Sequence, residues 1–304
     1  MNITGRGHIK LERELERAII VGRKVISFLV SSSLFVALAL FSVVYFSFSS
    51  LGISPDLPLL FASFLVTFSL YSINKVTDKE EDRFNSPERG KFVGDRENSL
   101  IVLSVIAYAV ALLVGIFSGK ILAVIALINP FLVAISYSTK ITPNLPRLKD
   151  IFIVKSLSVT IGLVSSTSLL AYIYFQNPYI ILFWVYFLSI KLFINAVLFD
   201  VRDVSGDKKF EIKTIPAVLG IKKTRNLLFF LNSLLIPWIG ISLYLNLFVP
   251  ALPILIFCIF YGYWYILRFC NPEKKFSLSY DLLVDGEWII LCIMFVFLQH
   301  FVYL

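Results

Sequence analysis

An all-α membrane protein, with its helices gathered in one transmembrane bundle, is the fold class that three observations in this sequence predict. The 304 residues are 58% hydrophobic and only 16% charged, with a mean hydropathy of +0.84, a balance that ordinary soluble domains do not carry. The apolar residues come in runs near the ~20 residues that a membrane-spanning helix needs, separated by short polar segments. Phe, Ile and Leu dominate these runs without the period-two alternation of an outer-membrane barrel, so the runs read as helices.

Nine such segments follow along the chain, at about 24–48, 57–75, 98–117, 120–138, 151–174, 178–199, 224–245, 250–269 and 287–304, and they predict nine transmembrane helices in a single domain spanning 1–304. Residues 6–20 (RGHIKLERELERAII) read as an interfacial helix leading into the first span. No short apolar stretch with a cleavage site opens the chain, so no removable signal peptide is expected. Asn177-Pro178, Val249-Pro250 and Leu57-Pro58 fall at span edges, where proline starts a helix, whereas Pro130 and Pro237 lie inside spans and are expected to kink them. Cys258, Cys270 and Cys292 have spacings that fit neither a zinc site nor a disulfide framework and are read as packing residues.

The net charge of +8 does not point to nucleic acid, because the cations are scattered between apolar spans and form no basic domain. Their distribution reads as topology. The N-terminal segment holds Arg6, Lys10, Arg13, Arg17, Arg23 and Lys24, and the loop after the second span holds Lys75, Lys79, Arg83, Arg89, Lys91 and Arg96. The connections near 49–56, 175–177 and 246–249 carry no Lys or Arg, and Lys120 stands alone between the third and fourth spans. The positive-inside rule therefore places the N-terminus and the basic loops in the cytoplasm and the C-terminus outside.

Two acidic loops, about 75–97 and 200–222, lie on that basic side. If the second span continues as helix past the membrane surface, Asn74, Asp78 and Asp82, at i, i+4 and i+8, share one face. Asp200, Asp203 and Asp207, at i, i+3 and i+7, line up in the same way. Asp82 and Asp207 are 125 residues apart, each after the second helix of a four-helix block, which suggests two four-helix pseudo-repeats. Solvated loop charge would account for either stripe alone. Two stripes, each starting where an apolar span ends, concentrate negative charge in a way that a hard cation relieves, and Mg²⁺ binds through one or two carboxylates plus substrate phosphate oxygens. Arg89, Lys140, Lys149 and Lys213 are cations suited to a phosphate-bearing ligand. Above a greasy bundle, that combination suits a lipid diphosphate.

The first stripe resembles the Asn-rich acidic motif (N-x-x-x-D-x-x-x-D) of the UbiA superfamily of intramembrane prenyltransferases, with Asn85 and Arg89 following in familiar places. The second stripe resembles that family's D-x-x-D-x-x-x-D motif, followed by a Lys-Thr-x-Pro stretch matched by Lys213, Thr214 and Pro216, and Tyr137-Ser138-Thr139-Lys140 resembles its Tyr/Lys signature. Two departures stand out: Lys75, where many members have Asp, and Gly90-Lys91-Phe92-Val93-Gly94, where many have a Pro-rich stretch. Neither removes a carboxylate.

The resemblance implies transfer of an isoprenyl group from an allylic prenyl diphosphate to an electron-rich acceptor, an aromatic quinone precursor or a lipid precursor, at the membrane. It implies Mg²⁺, as two ions bridging the diphosphate, held by Asn74, Asp78, Asp82, Asp200, Asp203 and Asp207. The five aspartates are thereby the catalytic set, and Asn74, Arg23, Arg89, Tyr137, Lys140, Lys149 and Lys213 the substrate-binding set. Ionisation of the diphosphate would leave an allyl cation, which a wall of Phe and Tyr shields from water. Two other readings stay open: a metal-dependent prenyl diphosphate phosphatase or cyclase, and a secondary transporter, whose polar residues would cluster near the bilayer midplane. Lys191, inside the sixth span, lies nine residues before Asp200 and so ~180° from the acidic stripe; it is expected to snorkel or to pair with another polar group outside the metal site. His8 and His300 are too isolated to form a ligand set.

Overall fold

The computed structural model describes residues 3–138, 150–271 and 277–302, with the side chains of 3–15, 18, 81, 82, 137, 138, 277, 301 and 302 left aside. Every described segment between turns is helical, and each of the nine apolar segments coincides with helix. Six helices are long and apolar enough to cross a membrane, and seven if a bent pair at the N-terminus counts as one span. The expected nine therefore exceeds the number that qualify. Ile121–Ser138 (α7) and Gly286–Val302 (α15) are apolar as well, with 18 and 17 residues.

The first segment departs from expectation. Ile3–Ser31 (α1) absorbs the interfacial stretch and runs without interruption to the serine triplet 31–33, and Leu34–Ser50 (α2) leaves at 70°. Ser33 takes a left-handed φ of 66°, and the Ser32 hydroxyl donates back to the Leu29 carbonyl. Small hydroxylated side chains here compete for the backbone bonds that a straight span needs.

Leu57–Thr77 (α3) begins where Asp56 accepts from the Leu59 N–H at 3.0 Å, with Pro58 in its first turn. It does not continue through the acidic stripe. Asp78 caps it, and two short helices follow, Lys79–Asn85 (α4) and Pro87–Gly94 (α5). These cross so closely that a Cβ on Gly90 would sit 2.7 Å from the Arg83 Cα, which gives one of the departing glycines a steric reason. The other departure is explained as well: Lys75 donates to the Val30 and Ser31 carbonyls at 2.6 and 3.3 Å, closing the frayed end of α1.

Glu97–Phe117 (α6) packs on α3 and turns Ile101, Val102, Val105 and Ile106 outward, as lipid contact requires. Helix α7 carries Pro130 and packs on Val154–Tyr172 (α8). Gly162 faces Val133 with room for no more than an ordinary contact, since a Cβ built on it would lie 3.5 Å from the valine side chain, and Asn129 donates to the Ser165 hydroxyl at 2.6 Å. Small and hydroxylated residues are the usual contact chemistry where lipid tails supply no hydrophobic driving force.

Pro178–Lys209 (α9) is capped by Asn177 and stays helical for 32 residues, through the whole second stripe. It is the centre of the bundle, with Trp184, Phe187, Ile194, Val197 and Leu198 fully buried. The short Ile215–Leu219 (α10) leads into Ile221–Ser233 (α11) and Leu235–Tyr244 (α12), which break at Leu234, three residues before Pro237, as a proline inside a span demands. A 3₁₀ turn at Val249–Ala251, Leu252–Phe269 (α13), the short Ser277–Tyr280 (α14), a π-helical turn at Asp281–Asp285 and α15 complete the described chain.

Candidate active site

One cavity of about 300 Å³ opens at the end of the bundle where α3, α8 and α9 bring their polar ends together. The opposite ends of α3 and α8 meet in a separate cluster, where Lys120 reaches the Tyr174 hydroxyl at 2.6 Å and lies 3.7 Å from Asp56, whose carboxylate also accepts from Tyr174.

The cavity gathers both stripes. Asn74, Asp78, Asn85 and Arg89 line it from the first, and Asp200, Asp203 and Asp207 line it from the second. They meet because α9 projects its last two turns over α4. Gly206 lies against Asn85 so closely that any Cβ there would overlap the Asn85 amide. Below the polar rim the lining turns apolar, with Leu40, Leu70, Val133, Leu163, Leu192 and Phe199.

Each carboxylate of the second stripe is already partnered. Asp200 accepts from the Ser156 hydroxyl at 2.6 Å and lies 2.9 Å from the Lys155 ammonium. Lys155 also reaches Asp207 at 3.2 Å, and the Thr214 hydroxyl donates to the other Asp207 oxygen at 3.0 Å. Arg202 forks onto Asp203 at 2.9 Å through both Nε and Nη2, and its Nη1 lies 3.4 Å from Asp281. Lys155 and Ser156 stand in the first turn of α8, whose N-terminal dipole favours carboxylates beside it. Among the described residues no three His, Cys, Asp or Glu side chains stand close enough to hold a metal ion as they are. The donor chemistry nevertheless suits a hard cation: Asp78, Asp200, Asp203, Asp207, Asp281 and Asp285 line the same space with the amides of Asn74, Asn85 and Asn195, and the buried Asn85 Oδ1 has no hydrogen-bond partner among the described residues.

Not every expected residue arrives. Arg23 and Lys213 are exposed and stand outside the cavity lining. Arg23 belongs to the outer face of α1, and Lys213 precedes the buried Thr214, which makes the carboxylate contact in its place. Lys140 and Lys149, and the side chains of Asp82 and Tyr137, lie outside the described residues. The assumption that one continuous helix carries Asn74, Asp78 and Asp82 does not hold, since α3 ends at Thr77.

Sequence reasoning missed Lys155, Ser156, Arg202, Asp281 and Asp285, all on the cavity wall. A signal existed for some of them. Asp281 and Asp285 form an i, i+4 acidic pair just before an apolar span, the same pattern that marked the first stripe. They stand on the π-helical turn, a geometry frequent at functional sites. Burial, with Asp281 beside it, pushes the Asp285 carboxyl well above the usual carboxylate range.

Lys191 is neither snorkelling nor part of this site. It is fully buried and donates to Glu287 at 2.7 Å, to the Tyr265 hydroxyl at 2.8 Å and to the Cys258 carbonyl at 3.2 Å. The Cys258 thiol donates to the same Glu287 oxygen at 3.2 Å. In the amide orientation that satisfies both its ends, Asn195 accepts from Trp288 Nε1 at 3.1 Å and donates to Tyr265 at 3.3 Å. This mid-helix position is where a transport site would be expected, yet Lys191 and Glu287 are 0% exposed and neither lines the cavity.

A bundle of membrane-length helices, with one cavity lined by both charged and apolar side chains, defines an integral membrane protein. The family comparison gives that class its name: residues 33–283 match the model of the UbiA prenyltransferase family, and the chain belongs to it. Among solved structures it is similar to a UbiA homolog from Archaeoglobus fulgidus bound to GPP and Mg²⁺, with a TM-score of 0.68 and 16% identity over 90% of this chain and 97% of that one. It is also similar to a UbiA homolog from Aeropyrum pernix K1 (0.60, 13%, 85% and 98%) and to a digeranylgeranylglyceryl phosphate synthase (0.55, 18%, 90% and 98%). At these identities the likeness establishes a shared fold. No curated protein sequence matches the chain.

Proposed function

We propose that the protein is a Mg²⁺-dependent intramembrane prenyltransferase that moves an isoprenyl group from an allylic prenyl diphosphate to an electron-rich acceptor. The observation that carries this reading is the convergence of Asn74 and Asp78 with Asp200, Asp203 and Asp207 around one cavity whose deeper wall is apolar. The similar Archaeoglobus structures, bound to GPP or DMAPP with Mg²⁺, support it. Asn74, Asp78, Asp82, Asp200, Asp203 and Asp207 would hold two ions. Bound there, Mg²⁺ would neutralise the diphosphate as a leaving group.

The chain's own residues supply the rest. Arg89 and Lys155 reach the polar rim, where their donors suit phosphate oxygens. The wall from Leu40 to Phe199 takes the prenyl tail and keeps water from the allyl cation. Nine spans, with α7 and α15 among them, and a cytoplasmic mouth on the Lys/Arg-rich side complete the proposal. Incubation of the purified protein with labelled geranylgeranyl diphosphate, Mg²⁺ and a panel of aromatic and lipid acceptors, followed by mass analysis, tests it. A prenylated acceptor formed only with the metal is expected; free prenyl alcohol alone would indicate a phosphatase.

A further inference from the structure

All six oxygens of Asp200, Asp203 and Asp207 are taken by donors of this chain. The donors are not equivalent. Ser156 and Thr214 are neutral hydroxyls on the outer oxygens, where they can remain while the carboxylates bind something else. Lys155 is a full positive charge shared between Asp200 Oδ1 and Asp207 Oδ1, the two oxygens it bridges across about two turns of α9. A divalent cation cannot take those oxygens beside an ammonium, because the like charges would stand within a few ångströms. Lys155 can leave: its side chain is 21% exposed to the cavity and ends a flexible four-carbon stem.

We propose that Lys155 makes metal and diphosphate bind as a coupled pair: its ammonium occupies the Asp200–Asp207 seat and yields it only when a diphosphate at the rim offers it replacement oxygens. This rests on the Mg²⁺-diphosphate reading above and adds an order to it. A diphosphate is the one substrate group charged enough to draw Lys155 off two carboxylates, so it clears the seat and bridges the incoming ion in one event. A divalent ion alone gains the seat only by driving an unneutralised ammonium away. The consequence is positive coupling between the two ligands, and the charge of one lysine sets its size.

The test is Mn²⁺ binding to the purified protein in detergent, followed by electron paramagnetic resonance, with and without geranyl S-thiolodiphosphate, which does not ionise. The wild type should bind Mn²⁺ at least about tenfold more tightly with the analogue, within the range usual for coupled ligands. Lys155→Gln should bind Mn²⁺ alone about tenfold more tightly than the wild type, and the analogue should add little. Lys155→Arg, which keeps the charge, should return the weak metal-alone binding. Lys155→Gln binding Mn²⁺ alone no better than the wild type would overturn the coupling role while leaving the metal reading standing. A wild type that binds Mn²⁺ equally with and without the analogue would overturn it too, whether or not the Gln variant folds. A wild type that fails to bind Mn²⁺ even with the analogue would remove the prenyltransferase reading itself.

Discussion

Helix α9 carries two lysine-linked carboxylate clusters, one at each level, and they differ in access rather than in chemistry. Lys191 and Glu287 meet at 2.7 Å with 0% exposure, sealed by Tyr265, Cys258 and Asn195. Two and a half turns further along, Asp200 meets Lys155 at 2.9 Å on the wall of a cavity. The sealed cluster pins α9 to α13 and α15 and holds Trp288, through Asn195, against the cavity. The open cluster can exchange partners. A buried charge in a membrane helix therefore announces a function only when something can reach it.

The largest effects are expected at the open end. Asp78→Ala and Asp203→Ala should each lower prenyl transfer by about 10³-fold, the rate equivalent of the several kcal/mol that neutralisation of developing charge contributes. The melting temperature in detergent should barely move, since both groups stand on the cavity wall. Turnover near the wild-type rate in chelator-treated enzyme would remove the metal mechanism.

At the sealed end the pattern should reverse. Lys191→Met or Glu287→Leu alone leaves an uncompensated buried charge and should destabilise by about 3–5 kcal/mol, whereas the double variant should recover most of that. Denaturant unfolding of the three variants measures it; a double variant no better than either single would mean that the pair is not acting as a unit.

Gly206→Ala probes the contact between the stripes. Alanine improves helix propensity by about 1 kcal/mol, but its methyl overlaps the Asn85 amide and pushes α4 from α9. Folding stability should change little while transfer falls by roughly 10–100-fold, as for a misplaced reacting group. Steady-state kinetics beside a melting curve separates the two effects.

The smallest effect belongs to Asp285. Its carboxyl is raised by burial in the folded protein, so the stability tied to its proton is present below the unfolded carboxyl value of ~3.9 and is lost as pH rises through the folded value. Asp285→Asn has no such loss and should melt higher than the wild type at pH 8, by something of the order of the ~2 °C that 1 kcal/mol is worth in a long chain. Parallel melting curves from pH 5 to 8 would contradict the assignment.

The sequence by itself determined the helical class, the positions of the apolar segments and the two stripes, because hydropathy and i, i+4 spacing are local. Asp200, Asp203 and Asp207 lie on one helix, as their spacing requires. The end of α3 at Thr77 was not legible, since it goes with the tight crossing of α4 and α5 at Gly90, a contact between separate elements. The bend at Ser33, which splits the first apolar segment into two helices 70° apart, was not legible in hydropathy either. Charge type made Arg23 and Lys213 look like phosphate ligands, but only the fold decides which cations reach the cavity, and it brought Lys155 and Arg202 there instead. Partnership is non-local in the same way. Lys191 and Glu287 are 96 residues apart, and Asp200 finds Lys155 from the preceding span, so whether each carboxylate is sealed or open was settled by packing between helices and could not be written into any one of them.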